Sequence, residues 1–190
     1  GLTTLMNMTK DSEDMKQFAR QIQAQVQKVM AVLEDSREER KPVDLGDCAQ
    51  QAAGGAKRLE GVRVLLAEDG ELNAEIIQKL LTNEGAACDW VADGLQALRQ
   101  FEAAAAGTYD VILMDMQMPV MDGCAAARAI RASGREDAES IPIIAMTANA
   151  FEDVRERIFD AGMDGYLGKP VEPDKLACAV IAAVKKRKGD

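Results

Sequence analysis

Residues 110–123 read Asp110-Val111-Ile112-Leu113-Met114-Asp115-Met116-Gln117-Met118-Pro119-Val120-Met121-Asp122-Gly123. The apolar run Val111 to Met114 does not alternate with polar residues, so it fits a strand buried on both faces, as in parallel sheets. Outward from this segment the same unit recurs. Strands are expected at 63–67, 87–91, 110–114, 142–146 and a short 165–167, with helical stretches at 72–83, 94–105, 125–133, 151–161 and 173–186. Short apolar strands alternating with helices of about ten residues predict an α/β fold, a doubly wound five-stranded parallel sheet with helices on both faces. In such sheets functional groups gather beyond the carboxyl ends of the strands.

That rule collects scattered polar residues into one place. Glu68 and Asp69 close the first strand, Asp115 the third, Thr147 the fourth and Lys169 the fifth. Carboxylates about 4 Å apart repel by on the order of 4 kcal/mol per pair at an effective dielectric of 20, so the cluster calls for a cation. Oxygen ligands without histidine or cysteine suit Mg²⁺, which commonly bridges carboxylates to phosphate oxygens. Asp115 can then act as a nucleophile toward phosphorus. The metal and Lys169 would neutralise charge on the equatorial oxygens, and the Thr147 hydroxyl could bond one of them.

Composition narrows the class further. The chain of 190 residues carries 32 acidic and 23 basic side chains, a formal charge of −9, which opposes nonspecific attraction to nucleic acid or anionic membrane. The basic run Lys185-Lys186-Arg187-Lys188 is more simply a complement to the dipole at a helix end. Four scattered cysteines (Cys48, Cys88, Cys124, Cys178) without a C-x-x-C spacing read as reduced thiols in a cytoplasmic protein. No apolar run reaches the ~18 residues of a membrane span. Histidine is absent, so the usual general base and any phosphohistidine are missing from this chain.

Near residue 60 the chain changes character. Met15, Phe18, Ile22, Val26, Val29 and Leu33 recur at steps of three and four, one stripe of a long amphipathic helix that Pro42 brings to an end. Such spacing also suits a dimer seam, so a homodimer through the N-terminal helices is expected. The expected organisation is a helical segment at 1–41, a linker at 42–60 and the α/β domain at 61–190.

Glu68-Asp69, the run Met114 to Gly123, Thr147-Ala148 and Tyr166-Leu167-Gly168-Lys169-Pro170 together resemble the receiver domain of two-component response regulators. The resemblance spans about residue 61 to residue 188, and Met146-Thr147-Ala148-Asn149-Ala150-Phe151 is similar to receivers attached to hybrid sensor histidine kinases. It implies a flavodoxin-like receiver fold with strand order 2-1-3-4-5. It implies Asp115 as phosphoacceptor and Glu68 and Asp69 as the acidic pair. Gln117 would offer a backbone carbonyl to Mg²⁺ (or Mn²⁺), and Thr147 with Tyr166 would form a switch pair. The implied phosphodonor is a histidine kinase or histidine phosphotransfer protein.

The segment before residue 37 resembles part of a kinase dimerisation hairpin, the N-terminal α-helical hairpin of such kinases. No glycine-rich nucleotide motif separates it from the receiver-like part, so this chain is not expected to phosphorylate itself from ATP. The arrangement reads as a fragment, a degenerate hybrid or an engineered fusion. Two enzyme classes fit less well. Haloacid-dehalogenase-type phosphatases want an aspartate two positions beyond the nucleophile, where Gln117 stands, and flavodoxins want a hydroxyl-rich phosphate loop where Glu68-Asp69 would repel phosphate. A non-phosphorylated pseudo-receiver is the remaining alternative, with Gly70 and Cys124-Ala125-Ala126-Ala127 as departures from the family pattern.

Overall fold

The computed structural model describes residues 57–148 and 151–189. The expected N-terminal hairpin, its dimer seam and most of the linker lie outside the described residues.

The elements follow in the order β1 (Arg63–Ala67), α1 (Glu71–Asn83), β2 (Ala87–Val91), α2 (Gly94–Ala103) and β3 (Val111–Asp115). Then come α3 (Gly123–Arg131), β4 (Ile143–Thr147), α4 (Glu152–Asp160), β5 (Gly165–Gly168) and α5 (Pro173–Lys188). The sheet order is β2-β1-β3-β4-β5, as the resemblance to receiver domains implies, with every neighbouring pair parallel, as the apolar strand pattern predicts. Ahead of β1, Leu59 is buried and Arg58 is ion-paired to Glu84 and Asp174.

Side chains alternate across a strand, and here both alternating sets are buried. Leu65, Ala67, Ile112, Met114, Ile143 and Ala145 enter one apolar layer with Ala97 and Phe101 of α2, Ile130 of α3 and Ile158 of α4. Val64, Leu66, Val111, Leu113, Ile144, Met146 and Leu167 enter the other with Ile77 and Leu81 of α1 and Leu176 and Val180 of α5. Burying each of the larger side chains among these is worth about 1.5–3 kcal/mol, which is why the strands read as continuous apolar runs.

β3 and β4 each run one residue further than the apolar pattern predicts. Asp115 pairs with Met146, and Met116 N–H donates to the Met146 carbonyl at 3.0 Å. Thr147 pairs with Gly168, and Lys169 N–H donates to the Thr147 carbonyl at 2.7 Å. The polar residues at the strand ends are therefore fixed by the sheet itself. α3 begins at Gly123, two residues ahead of expectation, because the Asp122 carboxylate accepts the Ala125 N–H at 2.8 Å and caps it. A Cβ at Gly123 would overlap the Asp115 carbonyl oxygen, so glycine lets α3 start directly against the end of β3. Val120, between them, sits exposed in the left-handed region at φ 66.

At the opposite, amino edge, Arg135 in the loop after α3 ties that loop to the end of α2. Its guanidinium lies 4.2 Å over the Phe101 ring centroid and donates to the carbonyls of Phe101, in the last turn of α2, and of Ala104, just beyond it. Asp137 pairs with it at 2.9 Å and accepts the Gly107 N–H at 2.8 Å. Burial would raise the Asp137 carboxyl, but Arg135 and the Gly107 N–H outweigh it and hold the pKa below the ordinary range. A depressed folded pKa gives stability that is complete above the unfolded value and lost as pH falls through the folded one. Asp137→Asn is thus expected to cost about 1.5–3 kcal/mol at pH 7, with the gap to wild type closing below about pH 4. Urea unfolding at both pH values checks it, and an equal gap in acid would contradict the ion-pair origin.

Candidate functional site

β1 and β3 lie side by side at the centre of the sheet and deliver their carboxyl ends to the same rim. Ligand oxygens of Glu68, Asp69 and Asp115 come within 4.8 Å of one another. Lys169, carried in by the β4–β5 pairing, sets its ammonium 2.7 Å from Glu68 Oε2 and 2.8 Å from Asp115 Oδ2. Glu68 is wholly buried and Asp115 nearly so, while Asp69 is exposed. The wall of the site is thus fixed and its outer carboxylate is open to solvent.

The hydrogen bonds complete the setting. Asn73 of α1 donates to Glu68 Oε1 at 3.0 Å, and the Gln117 N–H donates to Asp115 Oδ1 at 3.2 Å. Among the described residues no buried side-chain nitrogen or oxygen lacks a hydrogen-bond partner. Burial pushes the Asp115 carboxyl above its ordinary range, a push that Lys169 and the Gln117 N–H offset only in part. Burial works against the Lys169 ammonium, but hydrogen bonds to Asp115 and Glu68 prevail and hold its pKa above the ordinary value.

Three carboxylates facing one ammonium leave about two negative charges in a partly buried cluster, each pair repelling on the order of 4 kcal/mol at 4 Å. The donor set is oxygen only, which fits a hard divalent cation of the Mg²⁺ class. Such a cation would balance the excess while leaving an Asp115 oxygen for a reacting group.

Of the residues singled out in sequence, Glu68, Asp69, Asp115 and Lys169 meet directly. The Gln117 backbone reaches Asp115, although its side chain is exposed. Thr147 is buried at the end of the neighbouring strand. Tyr166 pairs in register with Ala145, half-buried against the α2–α3–α4 layer, with the Arg155 guanidinium 5.5 Å from its ring centroid. Two participants escape sequence reading. Asn73 and Trp90, whose indole Nε1–H donates to the Glu68 carbonyl at 2.8 Å, reach the site from α1 and the edge strand β2. Their only sequence signals are an amide one helical turn beyond the acidic pair and the chain's single tryptophan at a strand end.

The departures are accommodated. Gly70 heads α1 without a side-chain cap, and a Cβ there would stand 3.0 Å from the Asn73 amide nitrogen that serves Glu68. Cys124 is buried in the first turn of α3, its Sγ 3.7 Å from the Arg157 carbonyl oxygen.

Comparison with known proteins agrees with this geometry. Residues 64–181 match the response regulator receiver domain family. Hybrid signal transduction histidine kinase L of Dictyostelium discoideum is 40% identical over 113 residues, 58% of this chain and 6% of that protein. Peroxide stress-activated histidine kinase mak1 of Schizosaccharomyces pombe is 36% identical over 157 residues, 77% of this chain and 10% of that kinase. The chain therefore spans about a tenth or less of these relatives. Among solved structures, the receiver domain of sensor histidine kinase PA1611 from Pseudomonas aeruginosa PAO1 is 40% identical with a TM-score of 0.59. The match covers 68% of this chain and 99% of that one, which holds a magnesium ion coordinated in its active site cleft. With motif order, sheet topology and rim geometry in agreement, this chain belongs to the response regulator receiver domain family.

Proposed function

We propose that the receiver part, residues 61–190, accepts a phosphoryl group on Asp115 with Mg²⁺ and that the resulting change of state controls partner binding. The observation that carries this reading is the Lys169 ammonium between Asp115 and Glu68, with the exposed Asp69 alongside. Glu68, Asp69, Asp115 and the Gln117 carbonyl would hold the cation. When bound, Mg²⁺ supplies a Lewis acid that offsets charge on the phosphoryl oxygens.

An Asp115 carboxylate oxygen forms the new bond to phosphorus as the bond from phosphorus to the donor nitrogen breaks, and the leaving imidazole takes up a proton. Gln117 N–H orients the Asp115 carboxylate, and Lys169, already in contact with it, moves with its charge onto an equatorial oxygen. The Thr147 hydroxyl bonds another oxygen and Tyr166 follows it, transmitting the change toward α4. A histidine kinase or histidine phosphotransfer protein is the donor class, because the similar proteins are hybrid histidine kinases. The setting is cytoplasmic. Among the described residues, no helix is long and apolar enough to cross a membrane.

Intact mass after incubation with phosphoramidate tests the proposal. One phosphoryl group per chain is expected in the presence of Mg²⁺ and none after chelation. No gain under either condition would make the chain a pseudo-receiver.

A further inference from the structure

At the rim the chain leaves the sheet through the peptide that joins Glu68 to Asp69. β1 ends at Ala67, and the Glu68 N–H still bonds the Val91 carbonyl at 3.1 Å. In a parallel ladder the Glu68 carbonyl would next accept a backbone N–H from the partner strand. That strand ends at Val91, and Asp93 is already the N-cap of α2, its carboxylate accepting the Gln96 N–H at 2.8 Å. The indole of Trp90 takes over instead, donating Nε1–H to the Glu68 carbonyl at 2.8 Å.

The Glu68 carbonyl and the Asp69 N–H belong to one planar peptide unit. Fixing that carbonyl therefore fixes the backbone from which the exposed Asp69 carboxylate projects. Glu68 is held further along its side chain by Asn73 and Lys169. Trp90 is only partly buried, 36% exposed, so its ring is less a core element than a bracket across the sheet edge.

We propose that Trp90 is a positioning residue for the cation site, its indole N–H holding the Glu68–Asp69 peptide in the setting a divalent cation requires. This rests on the Mg²⁺-dependent reading of the same site given above. The effect acts through Asp69, and it is confined to the metal step because Trp90 neither pairs with Lys169 nor touches Asp115 through any hydrogen bond.

The test titrates the metal-free chain with MgCl₂ by calorimetry, in wild type and Trp90→Phe, which keeps an aromatic ring and loses the donor. The dissociation constant is expected to rise about three- to tenfold, the equivalent of one neutral hydrogen bond. A second readout needs no variant. As the single tryptophan, Trp90 gives one indole N–H resonance, which should shift with the same Mg²⁺ midpoint that calorimetry reports. Equal dissociation constants in the two proteins, or an indole resonance unmoved at saturating Mg²⁺, overturn the role of Trp90 while leaving the proposed function standing. Absence of Mg²⁺ binding by wild type overturns both.

Discussion

Asp115→Asn is expected to take up no phosphoryl group from phosphoramidate at any Mg²⁺ concentration while keeping its fold. The substitution preserves shape and an oxygen that can accept the Gln117 N–H, so the backbone after β3 has no reason to move. What disappears is the anionic oxygen that attacks phosphorus, and an amide is a poor nucleophile. Lys169 keeps its 2.7 Å partner in Glu68. In the metal-free protein the change removes two repulsive carboxylate pairings, with Glu68 and Asp69, against one attractive pairing with Lys169. These interactions are each on the order of 4 kcal/mol at 4 Å before desolvation, so a modest gain in urea midpoint should accompany the loss of function. Intact mass and a urea melt read both effects, and a variant that still gained one phosphoryl group would remove Asp115 from its role.

Lys169→Met is expected to be the most destabilising single change at the rim, about 3–5 kcal/mol in the absence of divalent cation. Methionine fills similar volume, so the loss is of charge rather than packing. Glu68, wholly buried, and the Asp115 side chain, 7% exposed, would lose the ammonium they share and be left as uncompensated neighbours. Mg²⁺ offers a replacement charge, so the variant should gain more stability from Mg²⁺ than wild type does. Its rate of phosphorylation should still fall by about 10²–10³, because the donor to the equatorial oxygen is missing. Thermal melts with and without Mg²⁺ decide the matter. Equal melting of variant and wild type in metal-free buffer would show that the ion pairs seen at 2.7 and 2.8 Å contribute nothing.

The parallel sheet was legible because its strands are buried on both faces and so contain little but apolar residues, as in Val111 to Met114. The acid cluster was legible because parallel strands share a direction, which sends Glu68, Asp115, Thr147 and Lys169 to one rim whatever the loops do. Strand ends were less so. Apolarity stops at Met114 and Met146, whereas hydrogen bonding continues through Asp115 and Thr147, and only the register reveals the extra rung. Trp90 and Asn73 were invisible for a different reason. Each reaches Glu68 through a contact whose geometry depends on where β2 and α1 lie relative to β1, and no local periodicity encodes it. The same holds for Arg135, whose sequence neighbours give no hint that it serves the carbonyls of Phe101 and Ala104 some thirty residues earlier.

The alternation of side chains across the strands makes the two faces of the sheet unequal listeners. Thr147 shares strand parity with Ile143 and Ala145, which enter the α2–α3–α4 layer, and Tyr166 packs against that same layer. The α1–α5 layer receives only the opposite set from β4, Ile144 and Met146, both deep in apolar contact. In the proposed switch, a displacement that starts at the Thr147 side chain would therefore be delivered to the α2–α3–α4 layer rather than to the α1–α5 layer. If the proposed switch operates through Thr147 and Tyr166, a partner that reads it is expected on the α4 side, and a tether on the α1–α5 side is expected to leave the response intact.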